Sequence, residues 1–324
     1  MLNTTALIKA YLGRNPQLSS STRETVERAF RYFSDFTSYI QINRLNIDHF
    51  EQYRDFLFES GRSRATANLY VRAMQPVFAW AVKQGMIKIN PVTGTNVFKI
   101  KKHLTRLFEP WEFQRLYETC GYDLRWEGIL LSAKAHGLRR GEILNMTRGN
   151  IRDGFFHVEP KEETPVSRTW AWQPKGREIR KIPMIPQMQE ILDQLSCFYP
   201  FLTNERYENL LVLKGAGTLQ NSTRNCPEYN FSRVFVEYQK RAFGRQIGDF
   251  HGLRKTYIAE MLEMGIPRDV LKKIVGYFGS RKKNKPYTGT WEKAFEFARQ
   301  QAAKAAQRSG IFEGSGGKPD TDGV

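Results

Sequence analysis

Residues 251–261 read HGLRKTYIAEM, and this stretch organises the rest of the chain. His251 and Arg254 are three apart, so they share one face at the start of a helix expected over Gly252–Glu263. Upstream, HGLRRGEILNM at 136–146 places Arg139 on a turn entering another helix. QPKGREIRKIPM at 173–184 places Lys175 in a turn between two strands. Downstream, KKNKPYTGTW at 282–291 places Tyr287 in a basic loop before a last helix.

Around these residues the pattern is mostly helical. Residues 154–184 are the exception. FFHVE, SRTWAWQ and EIRKIPM alternate in strand fashion, separated by turn-like PKEETP and PKGR. They predict a three-stranded antiparallel sheet. Helices are expected at Trp111–Cys120, Gly128–Ala135, Gln187–Phe198, Glu228–Ala242, Pro267–Val275 and Trp291 to about Ser309. The stripe of that last helix (Trp291, Phe295, Ala298, Ala302 and Ala305) is open to packing on its own domain or docking on a neighbouring subunit.

The first ninety residues read as a helical bundle. Ser21 and Thr22 cap a helix carrying Val26, Phe30, Phe33, Phe36 and Ile40. A second runs from Asn46 or Asp48 to about Ser60, with Phe50, Tyr53, Phe56 and Leu57 inward. A third starts near Ser63, carries Leu69, Met74, Phe78 and Trp80, and contains Pro76 as a possible kink. Gly85 ends it. The expected organisation is a helical domain over 1–92, a linker over 93–108, a mixed domain over 109–310 and a disordered Gly-rich tail over 311–324. The fold class is mainly α with a small antiparallel sheet.

Composition bounds the function. The chain has 324 residues, 50 Lys and Arg against 33 Asp and Glu, and a net charge of +17, which calls for a polyanionic partner. Residues 1–102 hold 15 Lys and Arg against 7 Asp and Glu, about twice the net charge per residue of the remainder. No run of apolar residues is long enough for a membrane span, and the opening MLNTTALIKAYLGRN lacks the pattern of a signal peptide. Three scattered cysteines make no disulfide framework. No phosphate-binding loop, metal-ligand histidine pair, carboxylate cluster or serine-hydrolase elbow is present. No metal or other cofactor is expected, and the three cysteines read as small core residues in a reducing compartment.

Phosphoryl chemistry without metal needs particular side chains. A tyrosine can attack phosphorus and keep the bond energy in a covalent link, although its pKa near ~10 leaves it mostly protonated. Two guanidiniums can clamp the non-bridging oxygens bidentately. A lysine can protonate the leaving 5′-oxygen, and a histidine can support the phosphate or help deprotonate the tyrosine.

At these residues the sequence resembles the tyrosine recombinase family, the phage integrases and their relatives. Arg139 lies in G-L-R-x-x-E-I-L with Glu142 at the family's acidic position, and Lys175 precedes Pro183 by eight residues. His251-Gly-Leu-Arg254 is followed by Thr256 and an apolar helix, and Tyr287 falls 33 residues after Arg254. Ser63 to Pro91 resembles the family's core-binding, SAM-like domain. The resemblance covers residues 5–310. It implies Arg139, Lys175, His251 and Arg254 as catalytic groups, Glu142 in support, and Tyr287 as nucleophile. One departure stands out: Tyr277 occupies the position of the family's usual His or Trp. A phenol can still donate a hydrogen bond there, or Tyr277 can pack beneath the site.

The implied activity is site-specific recombination through a 3′-phosphotyrosyl intermediate and a four-way junction. The implied partners are duplex DNA with a specific site, a homotetramer spanning two sites, and accessory DNA-bending proteins in some systems. Arg62, Arg64, Arg72, Lys99, Lys101 and Lys102 are the expected phosphate contacts. A type IB topoisomerase-like nicking-closing enzyme shares the chemistry. A DNA-binding regulator without catalysis is the alternative of a different class.

Overall fold

A computed structural model describes residues 3–37, 40–101, 106–121, 123–146, 148–160, 172–175, 178–198, 227–276 and 291–308. The chain divides into two compact units, Met1–His103 and Leu104–Val324.

The first unit is built from α1 (Thr4–Arg14), α2 (Ser20–Thr37), α3 (Ile47–Glu59) and α4 (Arg64–Lys83). Asn46 and Ser63 cap α3 and α4 with their side-chain oxygens, as their residue types dictate. The cap expected from Ser21 and Thr22 lies earlier: Ser19 Oγ accepts the Thr22 N–H at 3.2 Å, and α2 begins at Ser20. α1, capped by Asn3, was not singled out in the sequence. Aromatic rings fill the core. Phe33 stacks on Phe50 at 4.8 Å and meets Tyr53 edge-on at 5.0 Å, and the buried Tyr53 hydroxyl donates to the Ala29 carbonyl. Phe56 and Leu69 were expected inward but stand exposed, because Phe50, Tyr53 and Leu57 already complete the inner stripe of α3, and Tyr70, Val71 and Met74 that of α4. α4 continues through Pro76.

The connecting stretch is pinned at both ends. Asn68 exchanges two hydrogen bonds with the Phe98 backbone, and Glu51 takes the Asn96 backbone and side-chain N–H groups. Phe108 is buried in the core of the second unit.

That unit contains α5 (Pro110–Thr119), α6 (Leu124–Lys134), α7 (Arg140–Leu144), β1 (Ile151–Arg152), β2 (Phe155–Val158), β3 (Arg180–Pro183), α8 (Pro186–Phe198), α9 (Pro227–Phe243), α10 (Phe250–Glu263), α11 (Arg268–Val275) and α12 (Trp291–Arg308). α6 is buried on all sides between α8 and α10. Its buried Lys134 pairs with both carboxylate oxygens of Glu260 on α10, at 2.7 and 2.6 Å. The described strands form an antiparallel sheet in the order β1-β2-β3, with Phe155 opposite Pro183 and Val158 opposite Arg180. β1 was not expected. Asp153 and Gly154 both have positive φ, a two-residue hairpin turn that pairs Ile151 with Phe156. Most of the strand expected at SRTWAWQ lies outside the described residues, as does the tail 311–324. In α12, Ala298, Ala302, Ala305 and Ala306 are buried in the core of their own unit, while the side chains of Trp291 and Phe295 lie outside the description.

Candidate active site

Three arginines gather around one carboxylate in the second unit. Arg139 occupies the N-cap position of α7, where the side chain of the buried Glu142 reaches back to its backbone N–H. Glu142 Oε2 accepts the Arg139 backbone N–H at 2.8 Å and Oε1 accepts Arg139 Nη1 at 2.8 Å. The same Oε2 accepts Arg180 Nη2 from β3 at 2.6 Å. Burial alone would raise the Glu142 pKa, but Arg180, the Arg139 amide and the Arg139 guanidinium together hold it below the ordinary carboxylate range. Glu142 is therefore ionised and shared between two guanidiniums.

Arg254 rises from the second turn of α10, whose N-cap is Asp249. It is 2% exposed. Nη1 donates to the Gly137 carbonyl and Nη2 to the Val275 carbonyl, the latter at 2.5 Å. It thus joins the turn before Arg139 to the end of α11. Burial, then the charge of Arg139, pushes its pKa down to about 9, so it stays protonated near neutrality. His251, exposed, lies three residues earlier on the same helix. What desolvation it has, followed by the charges of Arg254, Lys255 and Arg139, lowers its pKa, which favours a neutral imidazole at pH 7.

Two glycines allow this close approach. Gly276 has φ 75° and ψ −174°, a region essentially restricted to glycine. A Cβ there would stand 2.7 Å from Glu178 Oε2 and 3.1 Å from Arg139 Nη1. The backbone just before Tyr277 is therefore laid against the Arg139 guanidinium. Gly252, between His251 and Leu253, carries the Arg106 carbonyl 2.8 Å and the Phe108 ring 2.9 Å from where a Cβ would be. Thr256 Oγ1 accepts the Phe108 N–H at 2.8 Å, so the chain entering this unit is seated on the helix that carries His251 and Arg254.

The structure thus brings together Arg139, Glu142, His251 and Arg254. Lys175 is exposed, three residues before Glu178, whose carboxylate lies against Gly276. Tyr277 and Tyr287 lie outside the described residues, as does Lys102. Arg180 was missed in the sequence. Its signal was the two-residue spacing from Ile182, which puts a cation on the buried side of β3. His136 was also passed over. Nδ1 donates to the Leu131 carbonyl while Nε2 accepts the Ile185 N–H, and burial pushes its pKa down to about 4. It ties α6 to the segment after β3 as a neutral structural group. In the first unit Arg62, Arg64 and Arg72 are exposed. Arg62 lies over the Tyr32 ring at 5.3 Å, and Arg64 over Phe58 at 5.3 Å. Lys99 and Lys101 are exposed as well. Among the described residues no helix is long and apolar enough to cross a membrane, and no three His, Cys, Asp or Glu side chains are grouped as metal ligands.

The sequence pattern of the Phage integrase family matches residues 106–289, more than half of the chain and the whole of the arginine cluster. The chain belongs to the phage integrase family. Residues 4–101 match the phage integrase SAM-like domain. Among curated members, a tyrosine recombinase XerC-like protein of Caldanaerobacter subterraneus is 24% identical over 251 residues, 70% of this chain and 63% of the relative. The chain thus spans less than two thirds of that relative's length. The tyrosine recombinase XerD of Rickettsia conorii is 22% identical over 75% of this chain and 81% of its own. The integrase of transposon Tn1549, solved with a circular intermediate DNA, superposes with a TM-score of 0.67 over 86% of this chain and 92% of that one, at 16% identity. A lambda integrase tetramer bound to a Holliday junction gives 0.62 over 89% and 81%, at 18% identity. The mainly helical architecture with a small antiparallel sheet, a SAM-like unit followed by an integrase catalytic unit, is therefore the fold of these integrases.

Proposed function

We infer that this integrase-family chain is a site-specific DNA recombinase that cuts and rejoins duplex DNA without metal or nucleotide. The observation that carries the reading is the paired guanidinium site. Arg139 and Arg254 converge beside the backbone that leads to Tyr277. Arg254 is buried and donates to two main-chain carbonyls, and with Arg139 beside it, second only to burial in lowering its pKa, the pair holds positive charge in excess. A phosphate that gains negative charge on its non-bridging oxygens relieves that excess.

In the proposed step Tyr287 Oη attacks the scissile phosphorus and passes its proton to the unprotonated ring nitrogen of the neutral His251. The bond to the 5′-oxygen breaks, and Lys175 supplies the proton that the leaving oxygen takes up. Arg139 and Arg254 bind the non-bridging oxygens, His251 supports them as a neutral donor, and Tyr277 donates in the position usually held by His or Trp. The product is a 3′-phosphotyrosyl link and a free 5′-hydroxyl. A 5′-hydroxyl from a second duplex reverses the step, and two successive exchanges pass through a four-way junction within a tetramer on two sites. Residues 1–92 grip the duplex through Arg62, Arg64 and Arg72. The 93–108 connector adds Lys99, Lys101 and Lys102, and 109–310 performs the chemistry, in a cytoplasmic, nucleoid-bound setting.

The test is recombination in EDTA between two duplexes carrying a site selected from random sequence for binding to this chain. Strand-exchanged products are expected. Relaxation of a plasmid lacking that site would mark a nicking-closing enzyme instead. Tight binding with no exchange and no covalent product would mark a regulator.

A further inference from the structure

One buried cation serves none of these steps. Arg180 stands on β3 with its side chain 4% exposed. Nη2 donates to Glu142 Oε2 at 2.6 Å, and Nε donates to the Ile274 carbonyl at 3.0 Å. These partners belong to separate elements. Glu142 lies in α7 and holds Arg139 Nη1 through its other oxygen. Ile274 lies in the last turn of α11, two residues before Gly276, whose backbone abuts the Arg139 guanidinium. One planar guanidinium therefore joins the strand leading back to Lys175, the carboxylate that orients Arg139, and the helix end on which Arg139 rests.

As a stability device this arrangement is poor. Arg180 Nη1 is buried without a hydrogen-bond partner among the described residues, and an aliphatic side chain would fill the space with no such penalty. Its depth also keeps Arg180 from a DNA backbone. Its charge does have a use beside Glu142. With Arg180 present, the carboxylate divides its attraction between two cations. Without it, the whole of that attraction falls on Arg139 and draws the guanidinium inward, away from a phosphate.

We propose that Arg180 is a positioning residue for strand cleavage, acting through Glu142 and the Ile274 carbonyl to hold Arg139 at the scissile phosphate. This rests on the recombinase reading above.

The experiment is single-turnover cleavage of a nicked duplex site by the full chain, followed as covalent protein–DNA adduct. The primary variant is Arg180→Lys, which keeps a cation beside Glu142 but cannot serve the divergent Ile274 carbonyl at the same time. The expected result is a folded protein with unchanged DNA affinity that cleaves on the order of 10²-fold more slowly, the scale of a small misplacement of a catalytic group. In an Arg139→Ala background the same substitution should cost less than about twofold, because residues acting through one another are not additive. The proposal is overturned if Arg180→Lys cleaves at the wild-type rate, if its full loss persists without Arg139, or if it fails to fold, which would make Arg180 a structural residue only. Wild-type chain that forms no adduct would overturn the recombinase reading itself, and a Tyr287→Phe control separates the two failures.

Discussion

Arg254 spans two roles at the smallest scale. It closes the Gly137 and Val275 carbonyls and it presents charge to the site. Arg254→Ala should lower adduct formation by about 10²–10³-fold, and it should also lower the melting temperature, because buried carbonyls lose their donors. Loss of activity at unchanged melting temperature would contradict the anchoring role. Gly276→Ala should cost about 1–3 kcal/mol of stability, from its backbone region and from the approach of Arg139 and Glu178, with slower cleavage in the same assay. His136 makes a separate prediction. The unfolded imidazole binds its proton near pH ~6.5, whereas the folded one does so at about 4. Its contribution is complete above the first value and disappears as pH falls toward the second, by up to about 1.4 kcal/mol per pH unit. Urea titrations at pH 7, 5.5 and 4.5 should show a shallower pH dependence in His136→Gln than in wild type, and equal slopes would contradict it. Arg139, His251 and Arg254 were legible because each stands in a short local pattern of residue types. Arg180 was not, because its partners lie 38 and 94 positions away and meet only in the folded chain.

Helices followed the apolar period closely, and the elements that escaped were those governed by shorter signals. β1 depends on the Asp153-Gly154 turn, a two-residue feature within a longer alternating run. α1 carries a weak apolar face and is held by packing against α2 and α4. The end of α12 shows the limit of periodicity. An alanine stripe says that a helix packs closely, and only the structure shows that β3, α10 and α11 are the surfaces it packs on. Pro76 sits exposed inside α4 without ending it, so its missing N–H and ring carry a local cost. Pro76→Ala should stabilise α4 by about 1–3 kcal/mol, read as slower hydrogen exchange of the amides around position 76. Unchanged or faster exchange would show that the helix needs the proline.

For the whole molecule, the surplus of positive charge separates into a few buried guanidiniums and many exposed cations. In the proposed function the exposed ones supply salt-sensitive affinity for DNA. Binding should weaken steeply with salt, and Lys99→Ala or Lys101→Ala should each reduce the log–log slope by about 1, measured by anisotropy with a labelled duplex across a salt series. An unaltered slope would remove the connector from the DNA contacts. The chain divides between His103 and Leu104, inside the stretch expected as a connector, and the pinning of that stretch by Asn68, Glu51 and the Phe108 seat was not legible, since each depends on contacts across many positions. A nicked duplex site trapped with the protein in EDTA, digested and mapped by mass spectrometry, should yield a peptide joined through Tyr287 to a 3′-phosphate, with a free 5′-hydroxyl on the released strand. A link through Tyr277, a link to a 5′-phosphate, or cleavage with no protein attached would contradict it.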